Sequence, residues 1–211
     1  MSSRLSAYAL ASASGVLLAL SFPKFGHPAL GWVALAPLLV ALLGATLRRA
    51  FTLGLLAGVV YFTGTLYWIT GVMATYGDLA RLVAVPINAL LVFYQSLYVA
   101  IFALVVRRIV VKQGTAALMA APIVWVATEL GRTHVFSGFP WVLLGYSQTS
   151  VLPIAQLASV FGVYGVSMLV ASVSAAAATY ASRVSETPSQ RRGLRDAVSE
   201  TPSRRPSSWQ P

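Results

Sequence analysis

The sequence predicts an all-α, polytopic membrane protein of about six transmembrane helices, followed by a disordered, basic C-terminal tail. Two observations predict the body and a third predicts the tail. The chain has 211 residues, 57% hydrophobic and 9% charged, where soluble domains carry about 25% charged residues. Its apolar residues gather into long runs, separated by short connections rich in Gly, Pro, Arg or Lys. From residue 182 onward Ser, Pro and Arg dominate, and little apolar surface remains to offset chain entropy. The division that follows is residues 1–181 for the membrane body and 182–211 for a cytoplasmic tail.

Net charge is +10. The basic residues sit in clusters between apolar runs, which is the signature of membrane topology and not of a nucleic-acid face. No nucleic-acid partner is expected. With no cysteine there is no disulfide and no thiolate nucleophile or ligand. The two histidines, His27 and His134, are far apart, so neither a metal site nor a cofactor is expected.

The first run is residues 5–21, near the lower length for a span at about 1.5 Å per residue and a core of about 30 Å. Arg4 before it mimics a signal peptide, but no small-residue cleavage site follows. Residues 22–28 make a tight connection, punctuated by Pro23 and Pro28. The second run, 29–47, is stopped by Arg48 and Arg49. The third, 51–72, carries Gly54 and Gly58 four apart, a spacing that lets helices approach closely in lipid. Tyr61, Tyr67 and Trp68 read as interfacial aromatics at its far end. Residues 73–81 form a polar connection. The fourth run, 82–106, places Asn88 and Gln95 on one helical face, as an interhelical hydrogen bond or a polar strip lining a cavity. Arg107, Arg108 and Lys112 end it. The fifth is 114–130 and the sixth 151–181, with Pro153 in its first turn. In the tail, Val-Ser-Glu-Thr-Pro-Ser begins at Val184 and again at Val198; it reads as low-complexity sequence.

Arg48, Arg49, Arg107, Arg108 and Lys112 fall on the side of Arg4 and the tail, against Lys24, Arg81 and Arg132 on the other. The positive-inside rule then puts both termini in the cytoplasm, with the connection after the fifth run on the periplasmic face of a bacterial inner membrane.

That connection is the densest cluster of unusual residues. Glu129 and Arg132 are i,i+3 at the helix end and can pair. Either they fix that end as an interfacial ion pair, or Arg132 meets a lipid phosphate or the pair shapes an acyl entrance. Gly138-Phe139-Pro140-Trp141 follows. Phe139 and Trp141 read as an aromatic anchor on a rigid turn, or as the wall of a lipid cavity. Ser137, Ser147 and Ser150 have no base nearby in sequence and are not nucleophiles. No catalytic residue is assigned.

Pro122, Trp125, Glu129, Arg132, Gly138-Phe139-Pro140-Trp141 and Leu144-Gly145-Tyr146-Ser147-Gln148 resemble the membrane region of bacterial apolipoprotein N-acyltransferase. Leu20-Ser21-Phe22-Pro23, Trp68, Leu97-Tyr98 and Gly162-Val163-Tyr164-Gly165-Val166-Ser167 agree, and the resemblance covers about residues 5–181. It implies transfer of a fatty acyl chain from phospholipid to the α-amine of a lipoprotein's diacylglyceryl-cysteine, within lipoprotein biosynthesis. The family uses a Glu-Lys-Cys triad on a nitrilase-like domain that follows the spans. No triad residue carries over, and a basic tail stands where the chain would turn outward, so these residues are expected to be catalytically incomplete. By resemblance the partners are phospholipid, a lipoprotein substrate and a nitrilase-like domain in trans. Glu129, Arg132, Gly138, Phe139, Pro140, Trp141 and Tyr146 are the candidates for the lipid cavity. The alternative is a non-enzymatic membrane module that positions a separately encoded partner. A transporter would show interrupted helices with polar residues at mid-membrane; here only Asn88 and Gln95 fit that description.

Reporter fusions after Arg49, Lys112 and Arg183 are expected to report cytoplasm, and one near Ser137 periplasm. A periplasmic signal at Lys112 would overturn this topology.

Overall fold

The computed structural model describes residues 2–22 and 26–185. All regular structure among them is helical: α1 (Ser2–Leu20), a 3-10 turn (Pro28–Trp32), α2 (Ala36–Leu43), α3 (Leu47–Leu66), α4 (Trp68–Tyr76), α5 (Arg81–Gln113), a second 3-10 turn (Thr115–Ala120), α6 (Ala121–His134), 3-10 turns at Val135–Ser137 and Leu144–Gln148, α7 (Leu152–Ala155) and α8 (Ala158–Ser185). Among the described residues three helices, α3, α5 and α8, are long and apolar enough to cross a membrane, and Leu5–Leu20 and Pro28–Leu43 are shorter apolar helices. The chain is an all-α polytopic membrane protein. The tail expected from residue 182 begins inside α8, which runs to Ser185; residues 186–211, with the repeat's second copy, lie outside the described residues.

Helices α1 and α3 run parallel, with Gly15 against Ala57 and Val60 and Ala19 against Gly64. Helices α3 and α5 run antiparallel at very close range. A Cβ on Gly54 would stand 2.6 Å from the Val99 carbonyl oxygen, and one on Gly58 2.8 Å from the Ser96 Cα. In lipid, where apolar surface gives no net drive between helices, such small-residue contacts supply the packing energy. Helix α6 docks through Trp125, whose ring meets Phe102 edge-on at 5.0 Å. Helix α8 packs on α2, with the Ser174 hydroxyl donating to the Trp32 carbonyl at 2.8 Å and accepting from the Leu35 N–H at 3.3 Å.

These contacts sort the connections into two ends. The start of α3, the end of α5 and the turn after α2 meet at one, where Arg107 Nη1 donates to the Leu43 carbonyl at 2.6 Å. Arg48, Arg49, Arg107, Arg108, Lys112 and Arg183 belong to this basic end. The connections after α1, α3 and α6 meet at the other, the loop end, which holds Arg81 and Arg132. Asp78 and Glu129, the acidic residues among those described, are there as well.

Several runs are less continuous than expected. The second breaks into a 3-10 turn and an eight-residue α2 that stops at Gly44. Arg48 and Arg49 do not stop it; they lie in the first turn of α3, whose N-cap Thr46 accepts from the Arg49 N–H. The third divides at Tyr67, and the amide of Asn88 donates to the Leu66 carbonyl at 3.2 Å and to the Thr70 hydroxyl at 3.0 Å beside the break. Asn88 therefore serves as the interhelical tie. Gln95 is fully buried, and both of its amide atoms lack a hydrogen-bond partner among the described residues. Arg107, Arg108 and Lys112 do not end α5, which continues through them to Gln113. The fifth run starts as a 3-10 turn, because Pro122 offers no N–H and suits only a helix's first turn. The sixth divides around residues 156–157 and again at Gly162, whose φ of 66° interrupts α8. Tyr61, expected at an interface, is wholly buried.

Gly58→Val is expected to lower stability by about 1–3 kcal/mol through overpacking against α5. Gly71→Ala, with open space around its Cβ, should leave the thermal midpoint in detergent unchanged or slightly raised. Equal midpoints for the two variants would show that the α3–α5 contact is looser than described.

Candidate functional site

Helix α6 carries Trp125, Glu129 and Arg132 on one face, at i, i+4 and i+7. All three are buried; Glu129 is 1% exposed and Arg132 2%. The guanidinium approaches the carboxylate at 3.7 Å. Glu129 Oε1 accepts from Trp125 Nε1 at 3.0 Å and from the Leu144 N–H at 2.7 Å. Arg132 donates to the Trp141 carbonyl at 2.8 Å and the Val142 carbonyl at 2.7 Å, with the Phe62 ring 5.4 Å from its centre. Tyr61 of α3 donates to the same Val142 carbonyl at 2.7 Å. The pair therefore does not simply finish a helix. It holds the main chain of residues 141–144 against α6 and α3.

The loop between carries three residues with positive φ, the first of which is Phe136 at 52°. Gly138 has φ 77°, and a Cβ there would collide with the Thr133 carbonyl, so the turn requires glycine. Val142 has φ 58°, a conformation that branched side chains rarely adopt. Its carbonyl takes the two donors named above, and these hold that conformation in place.

The buried frame presents an aromatic rim. Trp141 is 54% exposed, Tyr146 40%, and Pro140 also faces outward. The Trp141 ring lies 5.4 Å from Trp68 and 6.4 Å from the half-buried Phe139. Around Tyr146 the neighbours turn inward. The Gly145 N–H donates to Ser167 Oγ at 2.8 Å. Gln148 accepts from Trp32 Nε1 at 3.0 Å and donates to the Pro28 carbonyl at 2.8 Å, which joins this turn to the first connection. Ser147 donates to the Leu144 carbonyl, and the exposed His134 donates through Nδ1 to the Leu130 carbonyl. Neither forms a nucleophile–base pair.

The structure thus brings all seven candidates to one end and divides them. Glu129, Arg132 and Gly138 build the frame; Phe139, Pro140, Trp141 and Tyr146 form the rim. Sequence reasoning missed Tyr61, Ser167 and the Trp32–Gln148 bond, whose partners lie 22 to 116 residues away. For Tyr61 there was a signal: it continues the stripe of Gly54 and Gly58 at helical spacing, and so belongs on the packed face of α3.

Comparison with known proteins matches residues 14–176 to the apolipoprotein N-acyltransferase N-terminal domain. Among similar relatives, the apolipoprotein N-acyltransferase of Geobacter metallireducens is 47% identical over 164 residues, covering 78% of this chain and 31% of the relative. Those of Pasteurella multocida and Methylococcus capsulatus are 31% and 35% identical, over 83% and 77% of this chain and 33% and 32% of the relatives. The chain spans about a third of the length of these relatives.

Arg132→Met leaves a buried carboxylate without its cation and is expected to cost about 3–5 kcal/mol. Adding Glu129→Leu should recover part of that loss. The check is thermal unfolding in detergent, together with proteolytic cleavage within residues 136–143. A double variant no more stable than Arg132→Met alone would show that the two charges are not coupled.

Proposed function

The chain belongs to the apolipoprotein N-acyltransferase N-terminal domain family, and on that premise we propose that it forms the membrane platform of a lipoprotein N-acyltransferase in the bacterial inner membrane. The reaction is transfer of a fatty acyl chain from phospholipid to the N-terminal amine of a diacylglyceryl-cysteine. Such a transfer needs acyl chains and a lipidated N-terminus held side by side at one face of the bilayer. The rim of Phe139, Pro140, Trp141 and Tyr146 is suited to that task, since aromatic side chains bind at the boundary of hydrocarbon and water. Glu129 and Arg132 act as positioning residues, because they hold the loop's main chain and are themselves buried.

Both termini lie in the cytoplasm in this reading, and the rim faces the periplasm. The gathering of Arg48, Arg49, Arg107, Arg108, Lys112 and Arg183 at the end opposite the rim supports that orientation. The observation that carries the functional reading is the exposed aromatic rim on a buried, charge-braced frame.

The acyl-enzyme itself is not made by these 211 residues. They contain no cysteine, so the thiolate that forms the family's thioester has to come from a nitrilase-like domain acting with this platform. The alternative reading is that the chain anchors or positions a separately encoded partner and takes no part in the transfer.

Purified alone, the chain should yield no triacylated product from phospholipid and a diacylated lipopeptide. Mixed with the nitrilase-like domain of a relative, it should yield product, and Trp141→Ala should cut turnover about tenfold or more, equivalent to about 1.4 kcal/mol, with folded yield preserved. Product from the chain alone would overturn the proposal. Binding of the domain without product would select the anchoring role.

A further inference from the structure

At the basic end, far from the aromatic rim, a cleft of about 280 Å³ opens between α1, α2 and α3. The exposed Ser6 and Gly44 and the half-buried Arg49 form its mouth, with Ser6 and Arg49 supplying the polar side chains. Its depth is apolar. Leu10 lies one helical turn inward from Ser6 along α1, and Val40 one turn inward from Gly44 along α2. The Arg49 guanidinium stands 5.7 Å from the centre of the Tyr8 ring, a cation–π contact that fixes its place in the wall.

The surroundings are strongly cationic. Arg48, Arg107, Arg108, Lys112 and Arg183 share this end, and the described acidic residues, Asp78 and Glu129, are both at the other. In the sequence of residues 182–211 arginines also outnumber acids. A positive mouth over an apolar floor matches a molecule with an anionic head and hydrocarbon behind it. A small soluble anion would use the mouth and leave the floor empty.

We propose that this cleft binds an anionic phospholipid of the leaflet at the basic end, with its phosphodiester on Arg49 and Ser6 and its glycerol and upper acyl carbons against Leu10 and Val40. This lipid is a bound structural ligand, on the opposite end of the bundle from the rim, and it is not the acyl donor. Its occupancy would bridge α1, α2 and α3 at the basic end.

The test is native mass spectrometry of the full chain in detergent, titrated with phosphatidylglycerol or with phosphatidylcholine of the same acyl chains. Phosphatidylglycerol should be retained preferentially. Arg49→Gln should lower its occupancy about fivefold, as expected for one basic contact. Gly44→Leu should do the same by filling the cleft. Its backbone angles (φ −100°, ψ 6°) suit any residue, and a Cβ there has open space. Arg108→Gln, exposed at the same end, should leave occupancy unchanged. Equal retention of the two lipids, an equal loss in Arg108→Gln, or displacement of the lipid by excess inorganic phosphate would each overturn the proposal. If Arg49→Gln does not fold, Gly44→Leu decides. No outcome depends on acyl transfer, so the lipid site and the enzymatic reading fail or stand separately.

Discussion

The contact between Glu129 and Arg132, both nearly inaccessible, is the constraint on which the loop end depends. Removing two ions from water costs several kcal/mol each, and mutual attraction at 3.7 Å does not offset this alone. Four hydrogen bonds add to it, two accepted by Glu129 Oε1 and two donated by Arg132, while Glu129 Oε2 has no partner among the described residues. A loop that drifted away would strand both charges, so the geometry of residues 141–144 is enforced by the penalty for losing it. The gain is a uniquely placed loop more than a stable one.

Elsewhere the bundle is held by short-range packing and isolated polar ties. Gly54 and Gly58 bring α3 and α5 into near contact. Asn88, Ser174 and Arg107 each bind a main-chain oxygen of a neighbouring element. These bonds matter more here than in a soluble protein, because hydrocarbon offers no competing partner to a stray carbonyl. The breaks at Tyr67 and before Ala121 occur where α-helix gives way to a kink or a 3-10 turn, next to such ties or to a proline.

The class of fold was legible because apolarity is additive along a sequence. A run of twenty apolar residues is visible without knowing what it packs against. Continuity was not legible: whether residues 51–72 form one helix or two depends on Asn88, which lies on another helix. The closeness of Glu129 and Arg132 could be read from their spacing, but their burial could not. A charged pair at the end of an apolar run normally signals water nearby, and here the partners that exclude water are carbonyls of residues 141 and 142, supplied by a reversal of the chain. Gly138 and Pro140 marked that reversal. The stripe it shares with Gly54 and Gly58 marked Tyr61 as packed, but nothing local marked its acceptor, 81 residues away.

Arg132 and Tyr61 grip Trp141 and Val142 by their carbonyl oxygens and leave the side chains alone. A backbone grip is blind to residue identity. The shape of this loop can therefore persist while the rim residues it displays are exchanged, one at a time, without rebuilding the support beneath them. In evolutionary terms the arrangement separates the inheritance of a scaffold from the drift of what it touches.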